Sequence, residues 1–330
     1  MNGSRREFLL KSMLTSASLS MLPSLSADAS PTQVNQTTAP ERPGRKSINI
    51  FSKNLHWLDY KGMAGVAAEL GFDGIDLTVR PEGHVLPERV ADDLPKAVEA
   101  VKNAGLKVHM IVTSITKAED QHTERILKTA SSLGIGYYRM GWLNYDDKQS
   151  INDNLAYFGS QMSKLAVLNK KYKIRGDYQN HSGLSFGSPV WDLWTILKGL
   201  DPTWTGSQFD VMHAQVEGGN TWQLGLKLLK SHIKTIDIKD FIWAKNGTAI
   251  PAWKTEVVPL GQGMIDYARY LKLLKQYDLT GPFSMHFEYP LGGVENGAKQ
   301  ITIPKEEVLS AMKRDLGLFK KMLSEAGIVS

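Results

Sequence analysis

The chain has 330 residues, 39 of them Lys or Arg against 34 Asp or Glu, for a formal net charge of +5, and it has no cysteine. The missing cysteines exclude a disulfide framework and thiolate metal sites and fit an oxidising compartment. The lysines are scattered rather than clustered, which argues against nucleic acid as a partner.

In chain order, residues 1–29 read as an address rather than as part of a fold. Ser4-Arg5-Arg6-Glu7-Phe8-Leu9-Leu10-Lys11 is followed by a weakly apolar stretch to Leu25 and then by Ala27-Asp28-Ala29. Paired arginines, a modest apolar region and an A-x-A site make a twin-arginine signal cleaved after Ala29. A disordered basic tail is the alternative. The stretch is too short and too Ser-rich for a permanent membrane anchor. The expected product is periplasmic, with the twin-arginine export machinery as a transient partner. Residues 30–46, rich in Pro, Thr and Gln, read as a disordered leader.

From Ser47 short apolar runs alternate with longer amphipathic ones. Strands are predicted over residues 48–52, 74–79, 106–113, 137–141, 173–180, 205–210, 234–239 and 283–288. Helical patterns fall over 61–70, 88–104, 119–133, 151–171, 191–198, 221–230 and 265–277, with a last helix over 305–326. Gly71 and Gly105 stand just past helix ends, where a left-handed cap is needed. Eight such units over about 280 residues suit a single (β/α)8 TIM barrel, residues 47–330. An open doubly wound sheet would carry a glycine-rich loop after its first strand. Here Ser52-Lys53-Asn54-Leu55-His56-Trp57 follows instead.

Active-site residues of such a barrel sit at the C-terminal ends of its strands. Four segments end in polar residues spaced i, i+2, which point to one face. They are Gln179/His181, Gln208/Asp210, Asp237/Lys239 and His286/Glu288. Asp76, Thr78 and Arg80, His109 and Arg139 occupy comparable positions on earlier strands. His109 has a satisfied interior histidine as its alternative, Arg139 a neutraliser of barrel carboxylates, and Asp76 an end-of-strand cap. Three carboxylates, Asp210, Asp237 and Glu288, are costly together unless a cation compensates. Either a divalent metal lies among them, Mn2+ or Mg2+ for such oxygen ligands, or Lys239, His181 and His213 supply the charge. Trp57, Trp142, Trp243 and Trp253 fall in loops that would rim the site and cover sugar C–H faces. Trp191 and Trp194 read as core. His84, on the second loop, is either a contact to substrate hydroxyls or a plain loop histidine.

The chain resembles the xylose-isomerase-like TIM barrels of the sugar phosphate isomerase/epimerase family, over roughly residues 47–325. The segments that carry the likeness are Gly71-Phe72-Asp73-Gly74-Ile75-Asp76-Leu77, Gln179-Asn180-His181, Phe209-Asp210-Val211-Met212-His213, Ile238-Lys239-Asp240, Pro259-Leu260-Gly261-Gln262-Gly263 and Phe287-Glu288. The resemblance implies a metal held at Gln179, Asp210, Asp237 and Glu288. Gln179 stands where the family has Glu and Asp237 where it has His. An amide oxygen can ligate a metal, but Gln179 cannot take a proton.

Two-base epimerisation therefore gives way to one-base chemistry. Glu288 removes a proton next to a sugar carbonyl, His181 or His213 acts as the second acid/base, and the metal or Lys239 stabilises the enediolate. The expected protein is an exported carbohydrate isomerase or epimerase. The alternatives are a lyase or hydratase acting on 3-keto-glycosides and a non-catalytic sugar-binding barrel.

Overall fold

A computed structural model describes residues 46–328. The export signal over 1–29 and nearly all of the leader over 30–46 lie outside the described residues. In chain order the strands are β1 (Ile48–Phe51), β2 (Gly74–Val79), β3 (Lys107–Thr113), β4 (Tyr137–Arg139), β5 (Arg175–Gln179), β6 (Thr205–Asp210), β7 (Ile233–Ile238), β8 (Asp240–Lys245), β9 (Trp253–Val258) and β10 (Phe283–Met285). All but β8 and β9 run parallel and close into a barrel, with β1 hydrogen-bonded to both β2 and β10.

Around the barrel lie α1 (Tyr60–Leu70), α2 (Val90–Asn103), α3 (Thr123–Ser132), α4 (Ile151–Tyr172), α5 (Val190–Leu197), α6 (Val211–Gly218), α7 (Trp222–Leu229), α8 (Tyr267–Gln276) and α9 (Lys305–Glu325). Barrel strands are covered by helices outside and by one another inside, so β2, β5 and β6 are buried at every position. Gly71 ends α1 at φ 91° and Gly105 follows α2 at φ 78°, the left-handed caps expected of them. Asp59 and Ser150 start α1 and α4 by accepting from the amides of Gly62 and Asp153.

The closed end of the barrel holds its own polar layer. Arg175 bonds Asp177 at 2.6 Å, and Thr235 donates to the same carboxylate at 2.9 Å. His109 belongs to this end and not to the substrate side. Its Nδ1 lies 2.8 Å from Oδ1 of Asn49, whose amide donates to the Phe283 carbonyl at the start of β10. Expecting His109 to touch substrate was wrong because it sits early on β3, at the barrel end opposite the loops.

Three further expectations change. Residues 241–263 are a twisted antiparallel hairpin, β8 against β9, rather than a loop. Its root is clasped by Asp240, whose carboxylate accepts from the amides of Phe241, Gly261, Gly263 and Ile265 at 2.9, 3.1, 3.0 and 3.3 Å. A side chain at 263 would place its Cβ 2.0 Å from Asp240 Oδ1, so glycine is required there. Helix α6 begins directly at the end of β6, capped by the Asp210 side chain through the His213 amide. Trp191 is 53% exposed on α5 and not core.

Candidate active site

The C-terminal ends of β5, β6, β7 and β10 converge, and the i, i+2 alternation turns their polar side chains inward. Gln179, Asp210, Asp237, Lys239 and His286 are all buried there. Gln179 is the hub. Its Nε2 donates to Asp237 Oδ2 at 2.6 Å and to Asp210 Oδ2 at 3.2 Å, and its Oε1 accepts from Arg139 Nη1 at 2.8 Å. Gln208 donates to the other oxygen of Asp237 at 2.6 Å.

Lys239 is the second hub. With its side chain 2% exposed, Nζ lies 3.1 Å from Asp210 Oδ2, 2.9 Å from Glu288 Oε2 and 2.8 Å from His213 Nε2. Burial works against its charge, but Asp210 and Glu288 more than offset that and raise its pKa above the ordinary lysine value. Glu288 also takes Lys53 at 2.5 Å on its other oxygen. Burial opposes ionisation of Glu288, yet Lys239 and Lys53 overcome it and hold the carboxyl well below the usual range. A carboxylate fixed in that way is a weak base. Lys53 itself is pulled below the ordinary lysine value, by burial first, against the opposing pull of Glu288.

Among the described residues no three His, Asp or Glu side chains are grouped to hold a metal ion. The donor chemistry explains why the four expected ligands do not fit one. Because Arg139 can only donate, it fixes the Gln179 amide with its N–H groups, not its oxygen, toward Asp210 and Asp237. Asp210 and Glu288 both spend an oxygen on the Lys239 ammonium.

The histidines form a stack at the mouth. His181 lies 3.8 Å from His213 and 4.8 Å from Trp142, ring centroid to centroid. His213 accepts from Lys239 at Nε2, so its proton is on Nδ1 and points to Ser182 Oγ at 2.8 Å. His181 faces the Ser182 carbonyl with Nδ1 at 2.9 Å, a contact that places its proton there and leaves Nε2 as an open acceptor. Burial, with Lys239 second, lowers the pKa of His181. It is a neutral base at neutral pH.

Phe51 is ringed by cations. Lys53, Arg80 and Arg139 lie 5.5, 5.7 and 5.6 Å from its centroid, and His286 stacks on it at 4.4 Å. Nε2 of His286 is 3.3 Å from Asp237 Oδ1 but is misaligned for a hydrogen bond. Arg139 also faces Trp142 at 5.1 Å. Asp76 is fully buried below this group, bonded by Ser284 on Oδ2 at 2.7 Å and unpartnered on Oδ1. Burial pushes its pKa up to about 6.

The remaining expected contact residues are held by neighbours of their own. His84 is tied into a network with Ser52 and Thr78, to which His56 also belongs. Trp57 donates its indole N–H to the Asn54 carbonyl. Trp243 packs edge-on against Phe241. Trp253 pairs with Lys245, five residues and roughly 17 Å along the hairpin from Asp240. Lys53 and Ser182 went unnoticed in the sequence because neither belongs to an i, i+2 pair. The available signal was position: Lys53 is the second residue after β1.

A family model for the xylose isomerase-like TIM barrel matches residues 64–309. No curated protein matches the chain significantly. Among solved structures the chain is similar to a D-allulose 3-epimerase from Methylomonas sp., at 17% identity over 86% of this chain and 99% of that one, with a TM-score of 0.61. It is also similar to a 3-keto-D-glucoside 4-epimerase from E. coli, at 12% identity over 83% and 99% with a TM-score of 0.60. A probable 3-DHS dehydratase from Bacillus anthracis matches at 12% identity over 83% and 98%, with a TM-score of 0.61. At these identities the likeness shows the fold.

Proposed function

The chain belongs to the xylose isomerase-like TIM barrel family, and from that premise we propose that it is a carbohydrate-active enzyme that moves a proton next to a sugar carbonyl. The observation that carries this reading is His181. Its Nδ1–H faces a backbone carbonyl, its Nε2 is an open acceptor, and its ring stands beside Trp142 and close to Lys239 through His213. A keto-sugar held against Trp142 presents an α C–H to Nε2. The imidazole takes the proton and the C–H electrons move to the carbonyl oxygen, where a nearby ammonium stabilises the enediolate. The imidazolium then returns the proton to the former carbonyl carbon while the hydroxyl proton of the α carbon passes to the old carbonyl oxygen, or Lys53 gives a different proton to the other face of the α carbon and the imidazolium loses its own to solvent. In this role assignment Glu288 positions Lys53 and Lys239, and Lys53 is the acid.

A second reading is favoured by one feature. Gln179 has no proton to give or take in its position between Asp210 and Asp237. With a single base, loss of a β-substituent from the enediolate is easier than return of the proton from the opposite face. That is the lyase reaction on 3-keto-glycosides. The solved relatives include two epimerases, one of a 3-keto-glucoside, and a dehydratase. We also propose that residues 1–29 direct export to the periplasm. N-terminal sequencing of protein from its native host is expected to begin at Ser30.

The test is proton exchange. Keto-sugars and 3-keto-glycosides are incubated with enzyme in D2O and followed by NMR. The expected result is deuterium gain at one carbon next to the carbonyl, slowed about 100-fold or more by His181→Asn, the usual scale for a general base. Sugar binding without exchange at any carbon would leave a non-catalytic sugar-binding barrel.

A further inference from the structure

We propose that the Lys239 ammonium is the resident cation of this site, standing in the space a divalent metal would need, so that the protein binds its sugar without metal. The inference begins with coordination. Lys239 has three N–H groups and three partners at 2.8–3.1 Å, namely Asp210, Glu288 and His213. Two of these are carboxylates that a metal would have to recruit. An ion bound to the same two oxygens would share them with the ammonium, and like charges held on one pair of carboxylate oxygens repel. The remaining two expected ligands are turned against a metal as well. Gln179 offers donors on that side, and both oxygens of Asp237 accept from the amides of Gln179 and Gln208.

The arrangement is internally consistent. Glutamate at 179 would set a third carboxylate beside Asp210 and Asp237, which is workable only with a divalent ion. An amide there bonds both. A single positive charge then balances Asp210 and Glu288 jointly, with Lys53 on the outer face of Glu288. One of the three bonds to Lys239 is made to a neutral imidazole rather than to a carboxylate. That is the weakest of the three, and it is the one a substrate carbonyl oxygen can replace. His213 retains Ser182 when it lets go. This role for the ammonium rests on the proposed proton transfer; the exclusion of metal does not.

Two arms test it. In the first, purified wild-type protein is assayed for metal and melted with EDTA, with Mn2+ and with Mg2+. The expected result is less than about a tenth of an equivalent of divalent metal and a melting temperature unmoved by any of the three. Near-stoichiometric metal together with a fall in melting temperature on chelation would overturn the inference, because a ligand bound only by the native state stabilises it. In the second arm Lys239→Ala opens the space between Asp210 and Glu288. The variant is expected to gain a Mn2+-dependent rise in melting temperature that the wild type lacks, and a variant indifferent to Mn2+ at millimolar concentration would count against the substitution of one cation for the other. If Lys239→Ala does not fold, Lys239→Gln is assayed in the same way, and the first arm decides alone. Neither arm reads turnover. A metal-free protein that exchanges no substrate proton leaves this inference standing while the proposed reaction falls.

Discussion

At the scale of single residues, the polar pairs were readable because strand alternation leaves no choice of face. What spacing could not supply was the direction of each hydrogen bond. Gln179 looked like a weakened ligand and is instead a donor to two carboxylates. Gln179→Glu, which restores the family residue, is therefore expected to destabilise the protein by about 2–4 kcal/mol, from two lost charge-assisted bonds and a new like-charge contact. Thermal melts at pH 7.5 check this, and an unchanged or higher melting temperature would contradict it. Asp76 behaves differently. Its folded pKa, pushed up to about 6 by burial, lies above the unfolded value of 3.8. Its favourable contribution is thus complete below about pH 4 and is lost as pH rises through 6. Asp76→Asn is expected to raise stability at pH 8 by up to about 3 kcal/mol, two pKa units' worth, and to change nothing at pH 4. A gain that is the same at both pH values would show packing rather than ionisation.

At the scale of elements, all eight barrel strands and most helices were legible from alternating apolar runs and glycine caps. The hairpin was not. Its residues alternate without burying a continuous face, and beyond Asp240 and Phe241 the two strands are exposed or half-buried. Only the root is fixed, and the device that fixes it, the Asp240 carboxylate with four amides, joins residues up to 25 positions apart. Helix α6 was missed because it starts on the residue after β6, with the last strand residue as its cap and no intervening turn. The clasp gives a local prediction. Asp240→Ala is expected to cost about 2–4 kcal/mol from lost charge-assisted bonds and to speed hydrogen exchange at the Gly261 and Gly263 amides more than tenfold. Exchange in β2 and β5 is expected to stay unchanged. Equal acceleration throughout the barrel would mean that the clasp supports the whole fold and not the hairpin alone.

At the scale of the whole molecule, the count and alternation of elements were enough for the barrel, because a closed parallel sheet tolerates little variation in either. The closed-end polar layer showed in the sequence only as the interior reading of His109, since its members are non-consecutive and look like site residues. His109 is the case in point. It shares a fate with His56 and His84: burial lowers the three pKa values to about 4, 3 and 4. Their folded values lie below the unfolded 6.5, so the stability they contribute is complete above pH 6.5 and is lost as pH falls toward 4. The melting temperature is expected to drop between pH 6.5 and 4 more steeply than one titrating group allows, and a flat profile over that window would contradict the assignment. The cations around Phe51 have a consequence that extends past the protein surface. Among the described residues no carboxylate lies within ion-pairing distance of Arg80 or Arg139, and Arg80 is the more exposed of the two. Arg139 is buried, so it is the field of Arg80, opposed at longer range by Asp76 and Glu288, that reaches solvent, by about 8 Å at physiological ionic strength and about 30 Å in dilute buffer. A sugar that carries a carboxylate is expected to be captured faster as salt is withdrawn, while a neutral sugar of the same size arrives at a rate indifferent to salt.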